Sequence, residues 1–141
     1  GLDPISTDMI KDEISRLNEQ GTTIIFSTHR MEQVEEICER MVLINKGKNV
    51  LEGNVEEIRK ANRQHLFELI SDHELPEEFP EEFNASIKNS KKVEFQPKSN
   101  IDSSDLLQYL IQKGIHVSSF REIFPSINDI FIKTVENSNL A

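Results

Sequence analysis

The residue best placed to do chemistry is His29, which lies between a predicted strand and a predicted helix. The stretch before it, residues 22–28 (TTIIFST), follows Gly21 and is β-branched and apolar without alternation, which predicts a strand buried on both faces. The stretch after it has acidic residues on one side and an apolar stripe at helical spacing on the other: Met31, Val34, Ile37, Cys38 and Met41. Open parallel sheets hold their ligands at the carboxyl ends of strands, so His29 is well placed to contact a ligand. The alternative on the residues alone is a histidine that bonds nearby backbone at the start of a helix.

Asp3 is the second candidate residue, because it stands where a predicted helix begins. Asp3-Pro4 is typical of a helix start, with an acceptor side chain before a proline at the first helical position. The helix continues with a stripe of apolar residues and ends at Gly21. On the residues alone, Asp3 is a cap, and a cap can also face a partner molecule.

The remaining histidines and the single cysteine are not expected to form a site. His65, His73 and His116 are scattered, without metal-ligand spacing and without a second thiol or paired carboxylate near them, so no metal site is expected. Cys38 cannot form an internal disulfide, and its place on the apolar side of a helix predicts a buried, inert thiol.

The composition excludes two further classes of function. The 141 residues carry a formal net charge of -9, shared by both halves, so nucleic-acid binding is not expected because no basic face is available for a phosphate backbone. No apolar run approaches the roughly 18 residues that a membrane-spanning helix needs. We therefore expect a soluble, cytoplasmic protein that reaches a membrane only through a partner.

The order of motifs in the first 61 residues resembles the ATP-binding subunit of ABC transporters. Gly1-Leu2-Asp3 matches the family's D-loop, and His29, after Ser27-Thr28, matches its switch histidine. The segment MVLINKGKNVLEGNVEEI (41–58) resembles the hairpin and short helix that close the nucleotide-binding domain. The resemblance implies that His29 contacts the γ-phosphate of ATP and that the D-loop residues couple the two sites of a dimer across its interface.

The same resemblance implies parts that these 141 residues do not contain. There is no G-x-x-x-x-G-K-[ST] phosphate loop, no LSGGQ-like signature, no Q-loop, and no apolar strand ending in Asp-Glu before Gly1. We therefore expect the C-terminal part of a longer ATPase, inactive by itself and with no ATP or Mg²⁺ bound. The intact protein is expected to hydrolyse ATP with Mg²⁺, to dimerise with a second copy, and to drive a transmembrane permease at the inner face of the membrane, with export as the expected direction.

From Arg63 onward the pattern changes to strand, loop, strand, strand, helix, strand, helix, which predicts a small α+β domain with a mainly antiparallel sheet. The closing text FREIFPSINDIFIKTV (120–135) resembles the accessory, regulatory extension found on bacterial ABC exporter ATPases. The predicted fold class is thus an α/β remnant of a P-loop ABC nucleotide-binding domain (1–62), followed by an α+β accessory domain (63–141).

Two other functions are compatible with the residues. Residues 63–141 could act only as an interaction module that dimerises or binds an effector or partner protein. An α/β hydrolase with His29 as general base is the third reading, but Ser27 lacks the G-x-S-x-G elbow and no acid that would orient the histidine is evident. ATP binding by the isolated chain would separate these readings.

Overall fold

The computed structural model describes residues 3–139, which form two compact units. The first unit combines the residues up to Ile58 with those from Ser126 onward, and the second unit is Arg59–Pro125. The first unit contains α1 (Pro4–Glu19), α2 (Met31–Ile37), β1 (Arg40–Asn45), β2 (Lys48–Asn54), the start of α3 (Val55–Ala61) and α5 (Ile127–Asn139). The second contains β3 (Leu66–Ile70), β4 (Ala85–Asn89), β5 (Lys92–Phe95), α4 (Ser103–Gln112) and β6 (Ser119–Ile123).

Helix α1 begins and ends as predicted. The Asp3 carboxylate accepts a hydrogen bond from the Ser6 N–H at 2.8 Å, and Pro4 occupies the first turn, where its missing N–H costs nothing. At the other end Gly21 takes a φ of +90°, a conformation that favours glycine, and the chain turns away.

The predicted strand over residues 22–28 is wrong. This stretch has no regular secondary structure, and the Ile25 side chain is 95% exposed. A strand buried on both faces needs a hydrogen-bonded neighbour and layers above and below it. The sheets described within residues 3–139 include no strand that pairs with it, so its apolar pattern remains exposed.

The helix after His29 is shorter than its apolar stripe predicts. Helix α2 stops at Ile37, and Met41 already belongs to β1, where it is buried. Strands β1 and β2 form the predicted antiparallel hairpin, with Met41 and Leu43 buried on one face and Val42 and Ile44 exposed on the other. Its turn uses positive φ at Lys46 (51°) as well as at Gly47 (73°), the geometry that matches strand twist.

Helix α5 completes the core of the first unit. Its Ile127 and Ile130 are buried with Met41 and Leu43 of the hairpin and with Val55 and Ile58 of α3. The Ile127 N–H donates to the Glu35 carboxylate of α2, so a side chain from another helix satisfies a free donor at the start of α5. Asp129 and Ser126 cap the same end reciprocally.

The second unit is built on a four-stranded sheet in the order β4-β5-β3-β6, with every pair antiparallel. The predicted α+β fold with an antiparallel sheet is confirmed. One face of the sheet carries Phe67, Leu69, Val93 and Phe95, which pack with Leu106 and Leu110 of α4. Helix α4 starts at a reciprocal capping box between Asp102 and Asp105.

The division into compact units differs in position from the domains predicted at 1–62 and 63–141. Contacts divide the chain after Ile58 and again after Pro125, so α5 belongs with the hairpin rather than with the four-stranded sheet. The predicted division into a nucleotide-binding part (1–62) and an accessory domain (63–141) stays a prediction. Among residues 3–139, no helix has both the length and the apolarity to cross a bilayer.

Candidate functional site

Asp3 is held in a fixed conformation by the first turn of α1. Its Oδ1 accepts from the Ser6 N–H at 2.8 Å and its Oδ2 from the Ser6 hydroxyl at 3.1 Å. These bonds, the backbone one foremost, lower the pKa of the Asp3 carboxyl, which is therefore charged at neutral pH. The side chain is exposed, so a capped, negatively charged Asp3 remains accessible to a partner. Gly1 and Leu2, the other predicted D-loop residues, lie outside the described residues.

His29 lies on a bend immediately before α2 and is exposed. Its neighbour Thr28 shapes this bend, since the Thr28 hydroxyl oxygen accepts from the Arg30 N–H at 3.0 Å and the hydroxyl donates to Gln33 at 2.8 Å. Within residues 3–139 no hydrogen bond or ion pair engages the His29 imidazole. An imidazole that is open to solvent and has no protein partner can contact a ligand from outside these residues.

The structure does not join the two predicted site residues to each other. In the described part of the chain no hydrogen bond or ion pair connects Asp3 with His29; the link between their helices is an ion pair of Lys11 with Glu36. The two residues therefore do not form a catalytic pair within this chain. This arrangement agrees with roles at separate positions, and the roles themselves stay predictions.

The structure does bring together residues that the sequence treats as scattered. His73 follows β3 and His116 precedes β6, and their rings stack with centroids 3.9 Å apart at 16°. The Asp72 carboxylate bonds to Nδ1 of His73 at 2.8 Å. The expectation that the histidines are scattered is thus wrong for His73 and His116, because β3 and β6 pair in antiparallel register and bring both loops to one end of the sheet.

The His65 side chain, by contrast, is engaged in contacts with other residues of the second unit. Its Nε2 lies 2.8 Å from the Ile101 carbonyl oxygen, and its ring packs edge-on against Phe67. Cys38 is half-buried, and burial raises the pKa of its thiol, which disfavours the reactive thiolate.

A charged network that the sequence analysis missed lies on the face of the sheet opposite Phe67 and Leu69. Glu68, only 3% exposed, bonds to Lys92 of β5 and to Arg121 of β6, both at 2.8 Å. The hydrogen bond from Lys92 lowers the pKa of the Glu68 carboxyl most, and the hydrogen bond from Arg121 lowers it next. The alternation of the three strands could have predicted this face, had the pairing been known.

A surface depression of about 370 Å³ in the second unit is a poor site for a nucleotide. It lies against the loop before β4 and the start of that strand, and Glu77, Glu78 and Glu81 line it. Three carboxylates would repel the phosphates of ATP. The depression therefore gives no support to nucleotide binding by this unit.

Comparison with known proteins shows the family. Residues 53–135 match the family model described as "ATP-binding protein DrrA1-3-like, C-terminal domain". The match covers more than half of the chain, which therefore belongs to this family of ABC transporter ATP-binding proteins. The resemblance seen in the motifs is thereby confirmed.

Individual relatives lead to the same class. The ABC transporter ATP-binding protein YhaQ of Bacillus subtilis is 32% identical over 138 residues, covering 96% of this chain and 45% of that protein. The methionine import ATP-binding protein MetN of Histophilus somni is 32% identical over 127 residues, covering 83% of this chain and 36% of that protein. The Nod factor export ATP-binding protein I of Mesorhizobium japonicum is 42% identical over 53 residues, covering 38% of this chain and 16% of that protein. The aligned part of the chain spans 45% of the length of YhaQ and a smaller share of the other two relatives.

Proposed function

We propose that this chain is part of the ATP-binding subunit of an ABC transporter, whose intact form hydrolyses ATP to drive transport through a separate membrane subunit. The observation that carries the proposal is the alignment of 96% of the chain with an ABC transporter ATP-binding protein at 32% identity. ATP and Mg²⁺ would be held by a phosphate loop and a Walker B strand that these 141 residues do not contain. The subunit would act in the cytoplasm, at the inner face of the membrane.

In this proposal His29 and the D-loop act at the interface of a dimer of ATP-binding subunits. The exposed His29 imidazole would bond the γ-phosphate and help to order the attacking water as charge develops. Asp3, with Gly1 and Leu2, would couple one ATP site to the other. Relatives named for import and for export both align with the chain, so export is proposed on the resemblance of residues 120–135 alone.

The simplest test is to read the source reading frame upstream of Gly1. The proposal expects an apolar strand ending in Asp-Glu directly before Gly1, and a G-x-x-x-x-G-K-[ST] loop further upstream. A start codon immediately before the Gly1 codon, with no such motifs upstream, would overturn the proposal.

The role of His29 is tested in the full-length subunit with its permease by changing His29→Ala. Loss of one preorganised hydrogen-bond donor to the developing charge should lower kcat by about 10²–10³-fold. ATP affinity should change little, because the rest of the site holds the nucleotide. Arg30→Ala is the matched control, since its side chain makes no capping bond and it stands next to His29. Unchanged turnover in His29→Ala would contradict the assignment.

A second candidate function is an interaction module centred on the α+β unit. The second unit favours it because that unit has a core of its own, with Leu69, Val93 and Phe95 completely buried. In this reading the 141 residues dimerise or bind a partner or effector without any nucleotide.

Calorimetric titration of the isolated chain with Mg²⁺-ATP separates the two candidates from a self-sufficient ATPase. We expect no saturable binding below millimolar ATP, because the sequence of residues 1–141 contains no phosphate loop. Micromolar affinity for ATP would contradict the proposal that the phosphate-binding parts lie outside these residues. Concentration-dependent dimerisation without ATP would favour the interaction module.

A further inference from the structure

The two loops at one end of the β3–β6 pair carry a group of metal-binding side chains. His73 and Asp72 lie on the loop after β3, and His116 lies on the segment before β6. Each offers one ligand atom, and these three atoms all lie within 4.8 Å of one another. All three side chains are exposed, so an ion could reach them from solvent.

The backbone on the β3 side of this group is fixed by hydrogen bonds. The Ser71 N–H donates to the Lys91 carbonyl at 2.9 Å, and the Leu75 N–H donates to the Ser90 carbonyl at 2.7 Å. Between these two anchors, the His73 N–H donates to the Ser71 hydroxyl oxygen at 3.0 Å. Ser71 itself is 3% exposed, so the loop starts from a buried point.

The backbone on the β6 side is equally restrained. The Ile115 N–H donates to the Leu110 carbonyl at 3.1 Å, and the Ser118 N–H donates to the Ile70 carbonyl at 2.9 Å. His116 thus stands between two bonded positions. Because both loops are held, an ion would need only side-chain rotations to gather its ligands, and little backbone entropy would be lost.

The side chains are already in contact with one another. The His73 and His116 rings stack at 3.9 Å, and Asp72 bonds to Nδ1 of His73. A carboxylate that is charged at neutral pH beside two imidazoles is a donor set for a cation.

We propose that Asp72, His73 and His116 form a binding site for a divalent first-row transition ion of the Zn²⁺ class. Two imidazole nitrogens and one carboxylate oxygen suit Zn²⁺, Ni²⁺ or Cu²⁺, whereas Mg²⁺ and Ca²⁺ prefer all-oxygen sites. Three protein ligands leave the remaining positions to water, so the site is open. The net charge of -9 favours accumulation of cations near the chain.

This site is independent of the ATPase proposal. It lies wholly in the second unit, and its residues play no part in the roles proposed for Asp3 and His29. Its failure would leave the transport function untouched.

The test is calorimetric titration of the 141-residue chain with ZnCl₂ at pH 7.5, with side-chain ¹⁵N NMR of the histidines as the site-specific measurement. We expect saturable binding of one ion per chain and shifts confined to His73 and His116. His73→Asn and His116→Asn should each weaken binding by at least about tenfold, since even groups that only support a ligand contribute that much.

The matched control is His29→Asn, which removes an exposed imidazole from the other unit and should leave the affinity for Zn²⁺ unchanged. Circular dichroism of each variant verifies that the fold is retained. Absence of saturable Zn²⁺ binding overturns the proposal. So does binding of undiminished affinity in the His73→Asn/His116→Asn double variant, because the ion would then be held elsewhere.

Discussion

Glu68 shows how a single buried carboxylate can remain charged inside a small sheet. Two cations from the neighbouring strands, Lys92 and Arg121, bond to its two oxygens, and its side chain has almost no solvent contact. A buried carboxylate without partners would be neutralised, whereas these bonds stabilise the charged form.

Glu68→Gln is therefore expected to lower the free energy of unfolding by about 1–2 kcal/mol, because charge-assisted bonds are lost while the partners keep access to water. Urea denaturation at pH 7 measures the effect. Glu74→Gln, an exposed position on the following loop, should change stability by less than about 0.5 kcal/mol. Equal stability of both variants would contradict the stabilising role of the network.

The pH dependence of this contribution follows from the direction of the pKa shift. Since folding lowers the pKa of Glu68, its contribution is complete above the ordinary value of 4.5 and is lost as pH falls through the lower pKa of the folded state. The stability difference between the wild-type chain and Glu68→Gln should thus be constant at neutral pH and shrink below pH 4.5. A difference that grows on acidification would have the wrong sign.

Among the secondary-structure elements, the β1–β2 hairpin depends on its turn residues. Lys46 and Gly47 both take positive φ, which costs an L-residue energy but suits glycine. Gly47→Ala should destabilise the first unit by about 1–2 kcal/mol through backbone strain alone, because a Cβ at this position meets no atom within 4 Å.

Lys46→Asn is the matched change in the same turn and should stabilise the hairpin slightly, since asparagine tolerates positive φ better than lysine. Amide hydrogen exchange of β1 and β2 reports both variants. Faster exchange in Lys46→Asn than in the wild-type chain would show that the Lys46 side chain, rather than its backbone, governs the turn.

Elements with local signals could be predicted from the sequence, and those that depend on distant partners could not. Asp3-Pro4, Asn54 and Asp102 identify helix starts because a cap bonds within three residues of itself. The stretch 22–28 has the composition of a buried strand but no neighbouring strand among residues 3–139, so composition alone gave the wrong prediction.

The candidate sites divide in the same way. Asp3 was predicted correctly as a cap because its bond is local, and its role in a dimer, like that of His29, stays a prediction. The grouping of His73 with His116 depends on the register of β3 against β6, in which Ile70 faces Ser119. No spacing along the chain reveals that register. If antiparallel pairing of the two strands had been known, a histidine after the first strand and a histidine before the second would have been expected to meet.

At the scale of the whole molecule, the first unit is assembled from both ends of the chain. Its core combines the hairpin and α3 with Ile127 and Ile130 of α5. The core of the second unit contains no residue of α5 and comes from one continuous segment.

Truncation after Pro125 is therefore expected to unfold the first unit and to leave the second folded. Removing Ile127 and Ile130 takes away burial worth roughly 3–6 kcal/mol, comparable with the total stability of a small domain. Amide exchange should show loss of protection in β1 and β2 and retained protection in β3 and β5. Retained protection of the hairpin in the truncated chain would instead favour the domain boundary predicted near residue 62.

The return of α5 to the hairpin also sets the order in which the chain can fold during translation. The second unit, Arg59–Pro125, has all its residues as soon as Pro125 has left the ribosome. The hairpin emerges earlier but must wait for Ile127 and Ile130, a delay on the order of several seconds at ordinary rates of synthesis. During that interval Met41 and Leu43 lack their contacts with α5, so the nascent chain presents an apolar surface that a chaperone can recognise.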